Sequence, residues 1–338
     1  MTKLLSLELL ESAASGNLEG VTAALEKGAD LWAENLSGQN ALALAMAHQE
    51  EDLALVLLGR MAQHKPDLGW MLTGAKGTGN NAIHQAIVGR CYRVMNALLK
   101  MAIPHRSMLL GGSNADGFTP LLLAIQSQAD RYASALLKVD PGLLEKVANG
   151  FSPLALAVNE DKESLVDALL AAGASALLPP SMPAWSRIQS MDMMERLAKQ
   201  VDYATVKTAA GENILHVLAS RGTDLKMPLL KAVLRLVIPR AEGILSEQCE
   251  RGKTVLHTAT ASRCSVAVVE LLVDEGAVWS SLDAEGRTPL DWAQTAMASG
   301  KGSPYTEDTL KKWHAQGRQQ HLEQGLPPAD PALGRVRF

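Results

Sequence analysis

Four stretches of the chain are variants of one phrase: GFTPLLLA at residues 117–124, GFSPLALA at 150–157, GKTVLHTA at 252–259 and GRTPLDWA at 286–293. The Thr or Ser at the third position supplies an N-cap oxygen for the first N–H groups of a helix, and Pro after it suits the first helical position. Leu and Ala then recur at spacings of three and four, which makes an apolar stripe. The phrase therefore predicts the start of a short amphipathic helix.

Looser copies occur at residues 79–86 (GNNAIHQA) and 211–218 (GENILHVL), and a second apolar segment ending at glycine follows several copies, as in VVELLVDEGA at 268–277. Each repeat is a helix-turn-helix that buries both apolar faces only when repeats stack. The pattern predicts an all-α chain of about nine repeats over residues 3–300, with a degenerate repeat near 175–205. The third position of the phrase recurs every 30 to 41 residues, at Leu7, Asn40, Asn81, Thr119, Ser152, Met182, Asn213, Thr254 and Thr288.

The turn glycine, the T-P-L-H-x-A phrase and the second helix ending in a G-A-D-like turn resemble the ankyrin repeat. This resemblance implies an elongated, curved solenoid that binds a partner protein. It also implies that His84, His216 and His257, which occupy the His position of the phrase, form structural hydrogen bonds at the turn–helix junction. The partner surface is implied to consist of the residues beside the turn glycine and the exposed side of the first helices.

In this sequence, the positions that the resemblance assigns to the partner surface occur in every part of the predicted repeat array. The candidate partner-binding residues are Trp32, Leu36, Gln39, His48, Asn80, Asp116, Phe118, Gln126, Asn149, Phe151, Asn159, Glu160, Glu212, Arg221, Arg251, Lys253 and Arg287.

Two groups within this set carry a sharper hypothesis. Phe118 and Phe151 occupy the same position in adjacent repeats, so they are either anchors for a partner or rings that fold back over the turn. Arg251, Lys253 and Arg287, accompanied by acidic residues, make the late turns mixed in charge. Mixed charge favours a protein partner, and a solvated rim is the alternative.

Composition sets limits on the class of protein. The 338 residues are 47% hydrophobic and 20% charged, with a net charge of −4, which argues against binding nucleic acid through a basic face. Aromatic residues make up 4%, and the abundance of Leu and Ala favours helices. The apolar runs are too short to span a membrane. Cys91, Cys249 and Cys264 form no disulfide or zinc pattern, which predicts a cytoplasmic protein with reduced thiols.

Motifs for catalysis or cofactor binding are not found. There is no H-E-x-x-H or G-x-S-x-G, and residues 252–254 (GKT) match only the end of a P-loop. His314 and His321 are seven residues apart without a third ligand, so a metal site is not expected there. Cys91 and Cys264 are expected to be inert thiols, and the carboxylates at residues 50–52 are expected to be solvated or to cap a helix. The sequence therefore predicts no catalytic residues, no metal and no cofactor.

The regions outside the repeats have their own predictions. The insertions at residues 66–76, 104–114 and 223–228 are predicted to be loops. Residues 301–338 predict one polar helix, with Leu310 and Trp313 on one side, followed by an extended or disordered tail. This helix either packs as a C-terminal cap or forms a mobile arm.

The sequence as a whole predicts a monomeric, non-catalytic module that binds a protein. Three more specific interpretations stay open. The chain is an inhibitor or immunity-type protein that neutralises one target, a secreted effector with a small site built by the segments at 66–76 and 175–190, or a scaffold with several weak partners.

Overall fold

The computed structural model of the chain describes residues 2–65, 69–72, 77–101, 106–181, 183–299 and 304–323. Within these ranges the chain forms helices and turns, with an isolated backbone bridge between Ala148 and Phe151 and no sheet. The all-α prediction is confirmed. The chain divides into two units, Met1–Pro179 and Pro180–Phe338. This division falls in the degenerate segment near 175–205, and one continuous array over residues 3–300 stays a prediction.

In the described part of the first unit, eleven helices follow one another, together with 3₁₀ turns at Gly69–Leu72 and Pro141–Glu145. The helices are α1 (Thr2–Ala14), α2 (Leu18–Glu26), α3 (Ala41–Ala47), α4 (Glu51–His64), α5 (Ala82–Val88), α6 (Tyr92–Met101), α7 (Arg106–Gly111), α8 (Pro120–Gln126), α9 (Asp130–Val139), α10 (Pro153–Asn159) and α11 (Glu163–Ala171).

The described part of the second unit holds seven helices and two 3₁₀ turns, Ala184–Arg187 and Gly222–Asp224. The helices are α12 (Met191–Leu197), α13 (Ile214–Ala219), α14 (Met227–Val237), α15 (Val255–Ala261), α16 (Val266–Asp274), α17 (Pro289–Ala298) and α18 (Pro304–Glu323).

Within each unit, most helices form consecutive pairs, and neighbouring pairs pack against each other. In the first unit α3 contacts α5, α5 contacts α8 and α8 contacts α10, while the second helices α4, α6 and α9 contact one another in the same order. In the second unit α13 contacts α15, and α15 contacts α17. The first helices α3, α5, α8, α10, α13 and α15 are short and most of their residues are buried, because Leu, Ala, Ile and Val occupy successive turns.

The helix starts lie at the positions that the repeated phrase predicts. Seven of the nine marked positions are N-caps, from Asn40 at α3 to Thr288 at α17. At Ser152, for example, the hydroxyl accepts a hydrogen bond from the Ala155 N–H at 3.1 Å. The first marked position is wrong, because Leu7 lies inside α1, which begins at Thr2. The sixth, Met182, lies outside the described residues.

The segment predicted to be a degenerate repeat has a tight turn where a first helix was expected. Pro183 has no capping side chain, and a 3₁₀ turn at Ala184–Arg187 takes the place of a regular helix. Trp185 fills the core there and is 1% exposed. A bulky ring in the turn therefore supplies the apolar surface that Leu and Ala supply elsewhere.

The predictions outside the repeated phrase can be compared with the structure where it is described. Within 66–76, residues Gly69–Leu72 form a 3₁₀ turn. The insertion at 223–228 was expected to be a loop, but it contains the end of the 3₁₀ turn Gly222–Asp224 and the start of α14 at Met227. The insertion at 104–114 was expected to be a loop, but it contains α7, whose Leu109 and Leu110 are fully buried. After the repeats, α18 packs against α16 and α17 with Leu310 fully buried and Trp313 half-buried. The ring of His314 lies 4.4 Å from that of Trp279. The predicted tail after residue 323 lies outside the described residues.

A buried histidine links one helix pair to the next at three places. The Nε2 of His84 lies 2.9 Å from the Phe118 carbonyl oxygen, that of His216 lies 2.9 Å from the Lys253 oxygen, and that of His257 lies 3.0 Å from the Arg287 oxygen. A carbonyl oxygen only accepts, so each Nε2 carries the proton and donates. Each acceptor directly precedes the N-cap of the next first helix.

Burial disfavours the charged form of the three histidine rings. Burial lowers the pKa of each ring below its ordinary value of 6.5, and the hydrogen bond to the carbonyl offsets this only in part. The unfolded chain takes up protons near 6.5, so it binds more protons than the fold when the pH falls through that value. Stability contributed by the neutral rings is therefore present above pH 6.5 and decreases on acidification.

We expect His257→Ala to lower the free energy of unfolding at pH 7.5 by about 1 to 3 kcal/mol, because it leaves buried backbone groups without a partner. The variant should also lose less stability than the wild type between pH 7.5 and 5.5. Urea unfolding followed by circular dichroism measures both. His48→Ala, at an exposed ring, is the matched control, and an equal pH dependence in wild type and His257→Ala would contradict the assignment.

Two glycines of the first unit have opposite packing. A Cβ on Gly89 would lie 2.1 Å from the Met46 carbonyl oxygen, so α3 and the end of α5 approach each other there in a way that only glycine permits. A Cβ on Gly59, in the middle of α4, would meet no atom within 4 Å.

Gly89→Ala should therefore destabilise the protein by about 1 to 3 kcal/mol through overpacking. Gly59→Ala should stabilise it by about 1 kcal/mol through helix propensity. The same unfolding measurement on both variants tests this packing, and a destabilised Gly59→Ala would show that the space beside α4 is filled.

Candidate partner interface

The candidate partner-binding residues all reach the surface to some extent. None of the seventeen is buried. Those that are exposed are Leu36, His48, Asp116, Gln126, Asn149, Glu160 and Arg251. The half-buried residues are Trp32, Gln39, Asn80, Phe118, Phe151, Asn159, Glu212, Arg221, Lys253 and Arg287.

The turns before three of the first helices are each closed by a polar side chain that the sequence analysis missed. This residue is Asn35 before α3, Asn114 before α8 and Asp283 before α17, in each case five positions before the N-cap. Its oxygen accepts two backbone N–H groups from the turn, at 2.9 to 3.1 Å. Asx residues close turns in this way. An Asn or Asp at this fixed offset was the available signal.

Neighbouring turns of the first unit are joined to each other. The Ala115 N–H donates to the Thr78 oxygen at 2.8 Å, and the Asn114 side-chain amide donates to the Asn80 Oδ1 at 2.9 Å. Gln85 of α5 also donates to the Asn80 carbonyl oxygen at 2.8 Å. Asn80 is therefore held in one orientation and still reaches the surface.

An open cavity of about 260 Å³ lies between α3 and α5 and the turns that precede them. It brings together Gln39 and Asn80, which the sequence places 41 residues apart. The helices contribute Gln85 and the small or apolar residues Ala43, Ala47, Val88 and Gly89 to the rest of the lining, and the turns contribute Ser37 and Thr78. Val88 is 57% exposed, so an apolar edge is open to solvent beside the amide groups.

Phe118 and Phe151 each retain part of their ring at the surface. Both residues are half-buried, so the fold already covers part of each ring. Their backbones close the turns, since Phe118 bonds to His84 and Asn114 and Phe151 pairs with Ala148. The structure is compatible with a contribution to partner binding and with shielding of the turn.

The late charged residues of the second unit are organised around Trp292. The Lys253 ammonium lies 3.6 Å from the centre of the indole ring, and the Arg287 guanidinium carbon lies 4.2 Å from it. The indole N–H donates to Asp283 at 2.8 Å, and Arg287 also binds Asp283 and Glu285. Lys253 and Arg287 therefore stabilise a turn, and of the three predicted cations Arg251 alone is fully exposed.

Asp283 is the charged centre of this cluster, and its side chain is 1% exposed. Burial alone would raise the pKa of Asp283. Hydrogen bonds from the backbone N–H groups of Arg287 and Glu285, the Trp292 indole and the Arg287 side chain together lower that pKa to about 2. The carboxylate is therefore ionised throughout the physiological pH range.

Other sequence candidates have structural contacts. The Glu51 carboxylate accepts the backbone N–H groups of Arg93 and Val94 at the start of α6, and Asp52 pairs with Arg93 at 2.6 Å. Arg221 donates to the Ser186 carbonyl oxygen at 3.1 Å.

The thiols of Cys91 and Cys264 are buried. Burial raises the pKa of Cys91 to about 11 and that of Cys264 to about 12. Both therefore stay protonated near neutral pH and are poor nucleophiles.

Within the ranges that the structure describes, no three His, Cys, Asp or Glu side chains converge into a possible metal site. In the same ranges, every helix is too short or too polar to cross a lipid bilayer.

Comparison with known proteins gives limited information. No protein-family model matches the chain, and no curated protein matches it. A chain in the solved complex of a predatory endopeptidase from Bdellovibrio bacteriovorus with an immunity protein is similar, with a TM-score of 0.45 and 22% identity over 57% of this chain and 98% of that chain. A likeness at this level assigns neither a family nor a function.

The geometry around Asp283 generates a stability prediction. We expect Asp283→Ala to lower the free energy of unfolding at pH 7 by about 2 to 3 kcal/mol, because several donors lose a charged acceptor. The lowered pKa makes this contribution present above pH 3.8 and lost as the pH falls toward 2. The difference between wild type and variant should therefore shrink from pH 7 to pH 2.5 in urea unfolding.

Asp116→Ala, in an exposed turn of the first unit, is the matched control and should change stability little. A constant difference between wild type and Asp283→Ala over this pH range would refute the charge assignment.

Proposed function

We propose that this chain is an ankyrin-repeat protein that binds a partner protein through the turns and first helices of its first unit and has no catalytic centre. The N-caps at seven of the nine repeat positions support the repeat assignment, as do the histidines that bond to the next turn.

The observation that carries the binding proposal is the cavity between α3 and α5. Its amide rim is fixed in place, since Gln39 accepts from Asn35 at 3.2 Å and Asn80 accepts from Asn114. Its helical wall is made of Ala43, Ala47 and the exposed Val88. Fixed polar groups around a small apolar recess suit a partner side chain with an apolar body and a polar tip.

The backbone of this surface is already ordered before a partner binds. The turns are tied to one another and to the helices beneath them, so docking costs little backbone entropy. Exposed side chains at the ends of successive first helices, including His48, Gln126 and Glu160, extend the surface along the first unit. Specificity would come from these side chains, because they are exposed.

The experiment is affinity capture with the full chain from its native lysate. Wild type should retain one stoichiometric protein, and Val88→Glu should reduce the amount retained at least tenfold, because it places a charge at the apolar edge of the cavity. Val278→Glu is the matched control, since Val278 is 46% exposed in the second unit. Circular dichroism confirms that both variants are folded.

Equal capture by wild type and Val88→Glu would reject the cavity as the binding surface, and absence of any retained protein would reject stable partner binding in that lysate. The double variant Phe118→Ala/Phe151→Ala, measured beside them, reports whether the two rings add to the same surface.

A further inference from the structure

A second open space lies beside α2 and α4, which are second helices of their pairs in the first unit. This groove has a volume of about 750 Å³ and runs beside α4. One wall is formed by Leu25 at the end of α2 and by the turn at residues 28–32. The opposite wall is one face of α4, with Leu55, Val56, Gly59, Arg60, Gln63 and His64.

The shape of the groove follows the axis of a helix. The α4 residues that line it recur at alternating spacings of one and three, which is one stripe of a helix surface. From residue 55 to residue 64 this stripe extends roughly 13 Å along the axis. The opening is therefore long enough for two to three turns of another helix. Elsewhere α4 already packs against α3 and α6.

Gly59 lies in the middle of this stripe. A glycine inside a helix lowers helix stability relative to alanine. Packing within the described residues gives no reason for it, because a Cβ at this position would meet no atom within 4 Å. A small residue at the centre of an open helical face permits close approach of a second helix.

The polar groups of the groove favour an acidic ligand. Arg60 and His64 line the α4 wall, and Arg60 forms no ion pair within the part of the chain that the structure describes. Asp30 is the acid in the lining, and the Lys65 ammonium, 4.3 Å from the centre of the Trp32 ring, adds a further cation beside it. Leu55 and Val56 on the α4 wall and Leu25 on the facing wall supply apolar surface.

We propose that this groove is a docking site for an amphipathic α-helix of a partner protein, with apolar residues toward α4 and acidic residues toward Arg60 and His64. The partner helix would lie along α4 over Gly59. This site uses α2, the turn after it and α4, so it is independent of the cavity between α3 and α5. Either site can fail without the other.

The test uses two synthetic helical peptides of about three turns. Both carry the same leucine face, and their flanking positions carry Glu in one peptide and Lys in the other. Fluorescence anisotropy with the full chain measures binding. Wild type should bind the Glu peptide at least tenfold more tightly than the Lys peptide, and Arg60→Glu/His64→Glu should reverse this preference.

Two further variants separate groove binding from nonspecific attraction. Gly59→Trp fills the open space and should weaken binding of the Glu peptide at least tenfold. Arg235→Glu, an exposed charge reversal on α14, is the matched control and should bind as wild type does. Circular dichroism and thermal unfolding verify that each variant is folded, and Val88→Glu should bind the peptide normally because it acts at the other site.

Three results would overturn the proposal. The first is that the wild type binds neither peptide, and the second is that it binds both equally. The third is that Gly59→Trp binds the Glu peptide as tightly as the wild type does. Sedimentation of the free protein tests another occupant, because a dimer that Gly59→Trp dissociates would place a second copy of this chain in the groove.

Discussion

Hydrogen bonds from buried histidines to the following turn hold consecutive helix pairs in fixed register. At His84, His216 and His257 the donor is Nε2, and the acceptor is the carbonyl that directly precedes the next N-cap. Burial excludes competing water and disfavours the charged form of each ring. At His216 the Nδ1 lies 2.8 Å from the Asn213 Oδ1. At His257 the Nδ1 is within 3.1 Å of the Thr254 N–H and acts as its acceptor. One ring therefore caps its own helix and positions the next turn, and the exposed side chains of that turn are displayed from a fixed backbone.

Local features of the fold were predictable from the sequence because they depend on neighbouring residues. An N-cap and the N–H groups that it satisfies lie within three positions, so Asn40, Thr119 and Ser152 mark the starts of their helices. The helix start predicted at Leu7 was wrong, because Leu7 has no side chain that can cap a helix and α1 already begins at Thr2. The helix at Arg106–Gly111 was missed because its stability comes from buried Leu109 and Leu110 and not from a repeated phrase.

The candidate site was less predictable because its geometry depends on contacts between repeats. The sequence selected Gln39 and Asn80 as separate surface residues, and only the packing of α3 on α5 brings them to one cavity. Lys253 and Arg287 were predicted to be exposed partner-binding residues, but both cations pack over the ring of Trp292. Asp283 was overlooked because a turn-closing acid does not appear in the helix phrase, although Asn35 and Asn114 occupy the same offset.

Gly89 at the end of α5 and Gly59 in the middle of α4 differ in whether another part of the chain occupies the space beside them. At Gly89 the backbone of α3 fills the space of a missing side chain, so the glycine contributes to stability through packing. At Gly59 that space is open, and the helix carries the propensity cost of glycine without a packing contact in return. Contact with another molecule is the role that we propose for this open face of α4. Its apolar stripe and basic edge restrict which molecules can approach closely.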